Sequence, residues 1–289
     1  MTETTNNRSS SKKTIEPFPK NSPLVTIITV VYNAQPYIEE TILSIISQTY
    51  KNIEYIIIDG GSTDGTVDII KKYEDHIDYW ISEEDNSMYD ALAKAFSRVK
   101  GTILGYLNAG DLYSKHAIDI VVDVFKTKKV KWITGLAVTY NEKSWFIGNS
   151  LPYKYRRKLI QKGMYVNILP FIQQESTFWS QELISLVDIE RLSSFKYAGD
   201  YYLWNCFAIK EKLYIVNAYL GGFKKHRNQL STNMNEYLNE VNSITVKPGL
   251  KDYIVAYIDR LMWVTPVKVK KIFNKNGLYT YNCLIDQWD

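Results

Sequence analysis

From Val25 onward the chain alternates two kinds of hydrophobic pattern. Short β-branched runs, "VTIITVVY" (25–32), "IEYIIID" (53–59), "DYWISE" (78–83) and "TILGYLNA" (102–109), predict strands. The stretches between them are amphipathic. In "QPYIEETILSIISQT" the residues Ile38, Ile42, Ile45 and Ile46 fall on one helical face, behind a proline suited to a first turn. Residues 67–75, 87–98 and 115–125 repeat that pattern and predict three more helices. Strand and helix in alternation make βαβ units, so the expected fold is α/β, with a Rossmann-like, mainly parallel sheet flanked by helices. After "VKWITGLAVTY" the periodicity loosens, and "LPYKYRRKLIQKGMYVNILP" predicts loop and helix. These shifts divide the chain into a disordered polar tail (1–22), a main domain (23–231) and a helical C-terminal extension (232–289).

Composition narrows the function classes. The chain has 289 residues, 45% of them hydrophobic, enough for one sizeable core with an appendage. A formal charge of +4, from 35 basic and 31 acidic residues, lacks the concentrated basic footprint of a nucleic-acid binder, and no such partner is expected. Cys206 and Cys283 form neither a metal-ligand spacing nor a disulfide framework; they predict small buried hydrophobes in a reducing cytoplasm. No apolar run reaches the length of about 18 residues that spans a bilayer, and "MTETTNNRSSSKKTIEPFPKNSP" lacks the hydrophobic stretch of a signal peptide.

The suggestive polar residues cluster at strand ends, where parallel sheets bind ligands. Tyr32 and Asn33 close the first strand, Asp59 to Gly65 the second, Glu83 to Asp85 the third and Asn108 to Asp111 the fourth. The turn "DGGSTDG" is neither G-x-G-x-x-G nor a Walker loop and has no lysine, so it is not a phosphate cradle. An aspartate such as Asp59 only accepts hydrogen bonds, and its natural partners are a nucleobase N–H or ribose hydroxyls. Equally, Asp64 caps the next helix while Gly60, Gly61 and Gly65 make a turn. Asp111 either binds a divalent cation, Mn or Mg, on a diphosphate or serves as a turn residue before the next helix. Asp90 either pairs with Lys94 at i,i+4 or faces a donor pocket.

The ordered series "TIITVVYNA", "SIISQTY", "IIIDGGSTDGT", "SEEDNSMYDALAKA" and "LNAGDLY" resembles the bacterial family 2 glycosyltransferases of GT-A fold, of the surface-polysaccharide type, over residues 24 to 231. The resemblance implies inverting transfer of a sugar from a nucleotide-diphosphate donor to a hydroxyl of a glycan or lipid-linked acceptor. It places Asp59 on the base, Tyr32 and Asn33 around it, and Asp90 and Asn108 toward the donor. Asp111 corresponds to the last acid of a metal-binding D-x-D element, written here Asn108-Ala109-Gly110-Asp111, which retains one strong anion. "QQESTFW" (173–179) is similar to an acceptor-side segment, with Gln173 where a histidine commonly stands. "YAGDYYLW" (197–204) resembles the element of the catalytic base and nominates Asp200, which by residue type alone is also a helix cap. "GGFKKHRNQLS" (221–231) resembles a closing segment in which His226, with Lys225 and Arg227, approaches the metal or diphosphate.

Two other functions compete. A sugar nucleotidyltransferase needs a glycine-rich, basic loop after the first strand, and "YNAQPYIEE" has none. A catalytically silent nucleotide-sugar-binding protein has no use for Asp59, Asp111 and Asp200 together. Lys154, Arg156, Arg157, Lys158 and Lys162, interleaved with Tyr153, Tyr155, Met164 and Tyr165, form either a solvated face or a peripheral contact with the inner membrane. In 251–275 the stripe Ile254, Tyr257, Ile258, Leu261 and Met262 either packs on the main domain or adds to that contact.

Overall fold

The computed structural model describes residues 22–226, 229 and 233–289. The N-terminal tail up to residue 21, Arg227 and the boundary at Ser231 lie outside the described residues. The strands are β1 (Val25–Val31), β2 (Ile53–Asp59), β3 (Tyr79–Ser82), β4 (Ile103–Asn108), β5 (Leu112–Tyr113), β6 (Trp132–Thr134), β7 (Ala137–Tyr140), β8 (Phe146–Ser150), β9 (Thr177–Ser180), β10 (Tyr214–Val216), β11 (Gly221–Lys224) and β12 (Leu278–Tyr279). The helices are α1 (Ile38–Ile46), α2 (Thr66–Lys72), α3 (Met88–Phe96), α4 (Ala117–Lys128), α5 (Arg157–Ile160), α6 (Met164–Asn167), α7 (Ile189–Ser193), α8 (Gly199–Phe207), α9 (Met234–Ile244), α10 (Leu250–Trp263) and α11 (Val267–Phe273).

Among the described residues the main sheet runs β12-β10-β6-β9-β4-β1-β2-β3, parallel throughout except for β9, which pairs antiparallel with β4 and β6. The four strands and four helices expected over 25–125 are present, each within a few residues of its predicted bounds. A smaller sheet, β5-β11-β7-β8, stands beside it. Alternation along β1 explains why helices cover both faces. Val25, Ile27 and Val31 pack with α1 and α4, while Ile28 and Val30 turn to the opposite cluster with α3 and α8. Burial of each such side chain contributes about 1.5–3 kcal/mol.

The C-terminal stretch adds more than helices, because β12 joins the main sheet beside β10. The basic segment 153–162 is where this stretch docks. Arg156 makes a bidentate bond to Asp259 of α10, Nε to Oδ2 at 2.6 Å and Nη2 to Oδ1 at 2.9 Å, and Asp259 is fully buried. Arg157 donates to the carbonyls of Ala208 and Ile209, Lys154 to that of Phe273, and Lys162 pairs with Asp252. Tyr153, Tyr155, Met164 and Tyr165 are buried. The rings of the segment and the charges of Arg156 and Lys162 thus go into internal packing and pairing, while Arg157 and Lys158 remain exposed. The stripe on α10 also departs from the packing alternative. Ile254, Tyr257, Ile258 and Leu261 are exposed, and the face turned inward carries Ala256, Asp259 and Trp263. Cys206 is buried as expected, but Cys283 is exposed, lying in the turn of a short hairpin beyond β12.

Candidate active site

The sheet register brings the strand ends together. Val31 of β1 pairs with Asp59 of β2, Val30 with Asn108 of β4, and Asp59 with Ser82 of β3. The loops that follow these strands consequently open on one edge, the crevice of an open parallel sheet.

One side of the crevice is built by two loops hydrogen-bonded to each other. Asn33, at φ +46°, donates its N–H to Ser62 Oγ (2.8 Å) and accepts the N–H of Thr63 on Oδ1 (2.9 Å). Asp64 accepts the N–H of Gln35 (3.0 Å) and that of Thr66 (3.1 Å), so it holds the turn while Gly65 takes the helix-cap position at φ +93°. Asp59 is fully buried. Its Oδ2 accepts from Gly61 N (3.2 Å), Ser62 N (2.9 Å) and Ser82 Oγ (2.6 Å), and its Oδ1 from Ser62 Oγ. The carboxylate expected to face a ligand is thus engaged by its own loop and shapes the rim. A Cβ at position 60 would stand 2.5 Å from Asp85 Oδ2 and would push that side chain aside. Tyr32 lies on the rim with 63% of its surface exposed.

Beyond β3 the acids Glu83, Asp85 and Asp90 share one cation, Lys94, at 3.0 Å from Glu83 and 4.0 Å from Asp90. Burial raises the Asp85 carboxyl above its ordinary range, with Asp90, Asp59 and Glu83 adding repulsion and Lys94 opposing. Asp90 chiefly closes the start of α3. It accepts from Asn86 N (3.0 Å) and Asn86 Nδ2 (3.2 Å), while its own N–H donates to Ser87 Oγ (3.1 Å).

The turn after β4 is clamped from α1. Thr41 Oγ1 accepts the N–H of Gly110 (2.8 Å) and donates to the carbonyl of Asp111 (2.9 Å), with Gly110 at φ +109°. Asp111 is buried and accepts the N–H of Lys224 on Oδ1 (2.9 Å); burial pushes its carboxyl up to about 7, opposed by Lys224. Lys224 itself is buried, its Nζ paired with Glu40. His226 stacks on Tyr37 with centroids 4.4 Å apart, and a Cβ at Gly110 would stand 3.9 Å from its ring, so His226 lies beside the turn that carries Asp111. Beside His226 and Lys225 opens a cavity of about 390 Å³, also lined by Asn141, Glu142, Lys143 and Trp145. Asn108 donates Nδ2 to Gln174 (3.2 Å), and its Oδ1 is buried without a partner among the described residues. Among those residues no group of three or more His, Cys, Asp or Glu is placed to hold a metal.

Asp200 occupies the first turn of α8 without being its cap residue, which is Ala198. Its Oδ1 accepts three donors, Tyr201 N (2.7 Å), Tyr237 Oη (3.1 Å) and Tyr89 Oη (3.4 Å). Among the described residues none donates to Oδ2. Burial pushes the Asp200 carboxyl up to about 6, and these donors restrain the rise. The ring of Tyr89 lies against Gly199, where a Cβ would be 2.4 Å from Cγ of that ring, so the glycine before Asp200 makes room for one of its own donors.

The helix is capped from a distance. Glu240 of α9 accepts the N–H groups of Lys196 (2.9 Å), Tyr197 (2.9 Å) and Ala198 (2.7 Å). Tyr237, one turn earlier on the same helix, supplies the donor to Asp200. Sequence reading missed both, and their i,i+3 spacing in "MNEYLNEVNSI" was the available signal. It also missed Glu175, the one acid of "QQESTFW". Glu175 is buried with Oε1 unpartnered among the described residues, and burial followed by repulsion from Asp111 and Asp200 holds its carboxyl well above the ordinary range. Glu175 is thus the acid that feels both Asp111 and Asp200.

Comparison with known proteins agrees with this architecture. The model of the family described as "Glycosyl transferase family 2" matches residues 26–180. A protein named for teichuronic acid biosynthesis, the glycosyltransferase TuaG of Bacillus subtilis (strain 168), is 38% identical over 100 residues, 34% of this chain and 40% of that one. The chain therefore aligns with less than half the length of that relative. S. aureus TarS 1-349, solved in complex with UDP-GlcNAc, superposes with a TM-score of 0.55 at 12% identity, covering 86% of this chain and 69% of the other. The mannosyltransferase PcManGT from Pyrobaculum calidifontis, solved with GDP-Man and Mn2+, gives 0.54 at 14% identity over 89% of this chain and 80% of its own. The architecture is that of the GT-A glycosyltransferases, mixed α/β with a mainly parallel central sheet. The chain belongs to glycosyl transferase family 2.

Proposed function

We propose that this protein is an inverting glycosyltransferase that moves a sugar from a nucleoside-diphosphate donor to a hydroxyl of a glycan or lipid-linked acceptor, in surface-polysaccharide synthesis at the cytoplasmic side of the inner membrane. Family membership supports sugar transfer, the name of TuaG supports the polysaccharide context, and the ligands of TarS and PcManGT support a nucleotide-sugar donor. The observation that carries the reading is the buried Glu175, whose carboxyl is raised by burial and then by repulsion from both Asp111 and Asp200, with Asp200 Oδ2 accepting no donor among the described residues.

In this reading Asp200 Oδ2 accepts the proton of the incoming hydroxyl as the new bond to the anomeric carbon forms, while Oδ1 stays fixed by Tyr89, Tyr201 and Tyr237. A base with its pKa near 6 is ionised at neutral pH yet basic enough to assist, worth about 10² to 10⁴ in rate. Tyr32, Asn33 and the loop organised by Asp59 receive the nucleoside, and Asn108 and Asp90 border the sugar. A hard oxygen donor such as Asp111 fits a divalent cation, Mn or Mg, held mostly by phosphate oxygens and water. Such a cation would supply Lewis-acid neutralisation of the departing diphosphate. Asp111 would hold it, and His226 would stand beside it.

The test is Asp200→Asn, which keeps shape and loses basicity. After a thermal-shift panel of UDP-, GDP-, dTDP- and CMP-sugars with manganese identifies the donor, the variant is expected to bind it with unchanged affinity and to turn it over at least about a hundredfold more slowly. Near-normal turnover in a folded variant removes Asp200 from the reaction.

A further inference from the structure

The helix that follows α9 presents to solvent the face that sequence pattern alone assigns to a core. On α10 the positions Leu250, Ile254, Tyr257 and Leu261, continued by Val264 at the cap, recur at alternate spacings of four and three and so form one stripe. They are exposed by 78%, 51%, 58%, 72% and 87% respectively, with Ile258 (55%) and Tyr253 (40%) widening the band. The stripe continues onto α11 with exposed Val267, Ile272 and Phe273. The opposite face of α10, with Ala256, Asp259 and Trp263, is the one buried against the domain. An apolar band of this length on a folded protein marks a contact surface.

Its charges select the partner. Lys251 and Arg260 flank the stripe on either side, and Lys268 and Lys275 are exposed farther along. The two acids of the stretch 250–275 face away, Asp259 bound to Arg156 and Asp252 paired with Lys162. A second copy of the chain docked through this stripe would set basic flank against basic flank, without an acid in either helix to pair across the seam. We propose that α10 and α11 lie in the headgroup region of an anionic bilayer, with the apolar stripe below the headgroups and the lysines and arginine among the phosphates. The surface deepens the proposed function and rests on it for its purpose. α9 carries Tyr237 to Asp200, and α10 is the next helix along the chain.

Vesicle binding tests the surface without any transfer assay. The full chain is sedimented with vesicles of 70% phosphatidylethanolamine and 30% phosphatidylglycerol, and with phosphatidylcholine vesicles. Tighter binding to the anionic vesicles than to phosphatidylcholine is expected. It should weaken but persist as salt is raised, because screening removes the charge term and leaves the apolar one. The double variant Ile254→Glu, Leu261→Glu alters only exposed positions, so its thermal melt and its nucleotide affinity should match wild type while vesicle affinity falls at least tenfold. Failure of wild type to bind anionic vesicles, or undiminished binding by the double variant, overturns the proposal. So does a concentration-dependent dimer that the same substitutions abolish in the absence of lipid. Vesicle binding by a protein that neither binds nor turns over a nucleotide sugar would uphold the surface and sink the proposed function instead.

Discussion

Tyr237 gives the sharpest handle on the proposed base. Tyr237→Phe removes one hydroxyl from the edge of Asp200 and leaves the ring in place. In the structure that hydroxyl donates to Oδ1 at 3.1 Å, beside Tyr201 N at 2.7 Å and the longer Tyr89 Oη at 3.4 Å. A hydrogen bond to an ionised carboxylate is worth about 1.5–3 kcal/mol, and Tyr89 can tighten to recover part of it, so a net loss of about 1.4 kcal/mol is taken. The lost donor served the ionised form, so the pKa rises, from about 6 by about one unit. The acidic limb of kcat/KM therefore moves to higher pH. At pH 6.5 the ionised fraction falls about threefold, whereas at pH 8 it falls by only about a tenth. The same shift is readable without substrate by following the Asp200 carboxyl carbon in a ¹³C NMR titration, with Asp200→Asn assigning the resonance. A limb and a resonance that titrate as in wild type, in a folded Tyr237→Phe protein, refute the reasoning.

Two further outcomes follow from contacts already described. Asp111→Ala is expected to abolish the manganese dependence of nucleotide affinity while leaving the metal-free affinity intact; calorimetry with and without manganese checks this, and unchanged dependence removes Asp111 as a ligand. Arg156→Ala leaves the buried Asp259 carboxylate without its bidentate partner and should cost roughly 2–3 kcal/mol, less than a fully buried pair because the guanidinium reaches solvent. Urea unfolding measures it, and a midpoint within error of wild type contradicts the role given to this pair.

The local part of the fold was legible because it is written in short-range periodicity. Strands 25–31 and 53–59 read directly from β-branched runs, and α1 from Ile38, Ile42 and Ile45. Gly61 and Gly65 could be read as turn makers for the same reason, since a turn is decided within a few residues, whereas the helix cap assigned to Asp64 falls on Gly65. What was not legible depends on distance. Glu240 meets residues 196–198 more than forty positions upstream, and Arg156 meets Asp259 across 103. No local pattern encodes such pairings. The α10 stripe shows another limit, because a period identifies an apolar face and not the side of the helix that meets the core. The inward face of α10 is mostly small or charged, and it is buried because Arg156 neutralises Asp259 and Trp263 fills the gap beside Tyr155. Asp59 shows the limit of reading by residue type, since its acceptor capacity is clear from the sequence while the donors that saturate it belong to three positions of the fold.

The long-range cap on α8 also bears on when the protein becomes competent. Chains emerge from the ribosome amino end first, at about 5–20 residues per second. The strand ends that form the nucleoside rim and the turn at Asp111 all precede residue 120, and α8 itself is synthesised before α9. A nascent chain halted before residue 234 would therefore carry the whole rim and the helix of Asp200, but neither the carboxylate that caps that helix nor the phenol that steadies the base. Under the proposed function, birth order separates the residues of the nucleoside rim from the two later side chains that cap α8 and steady Asp200.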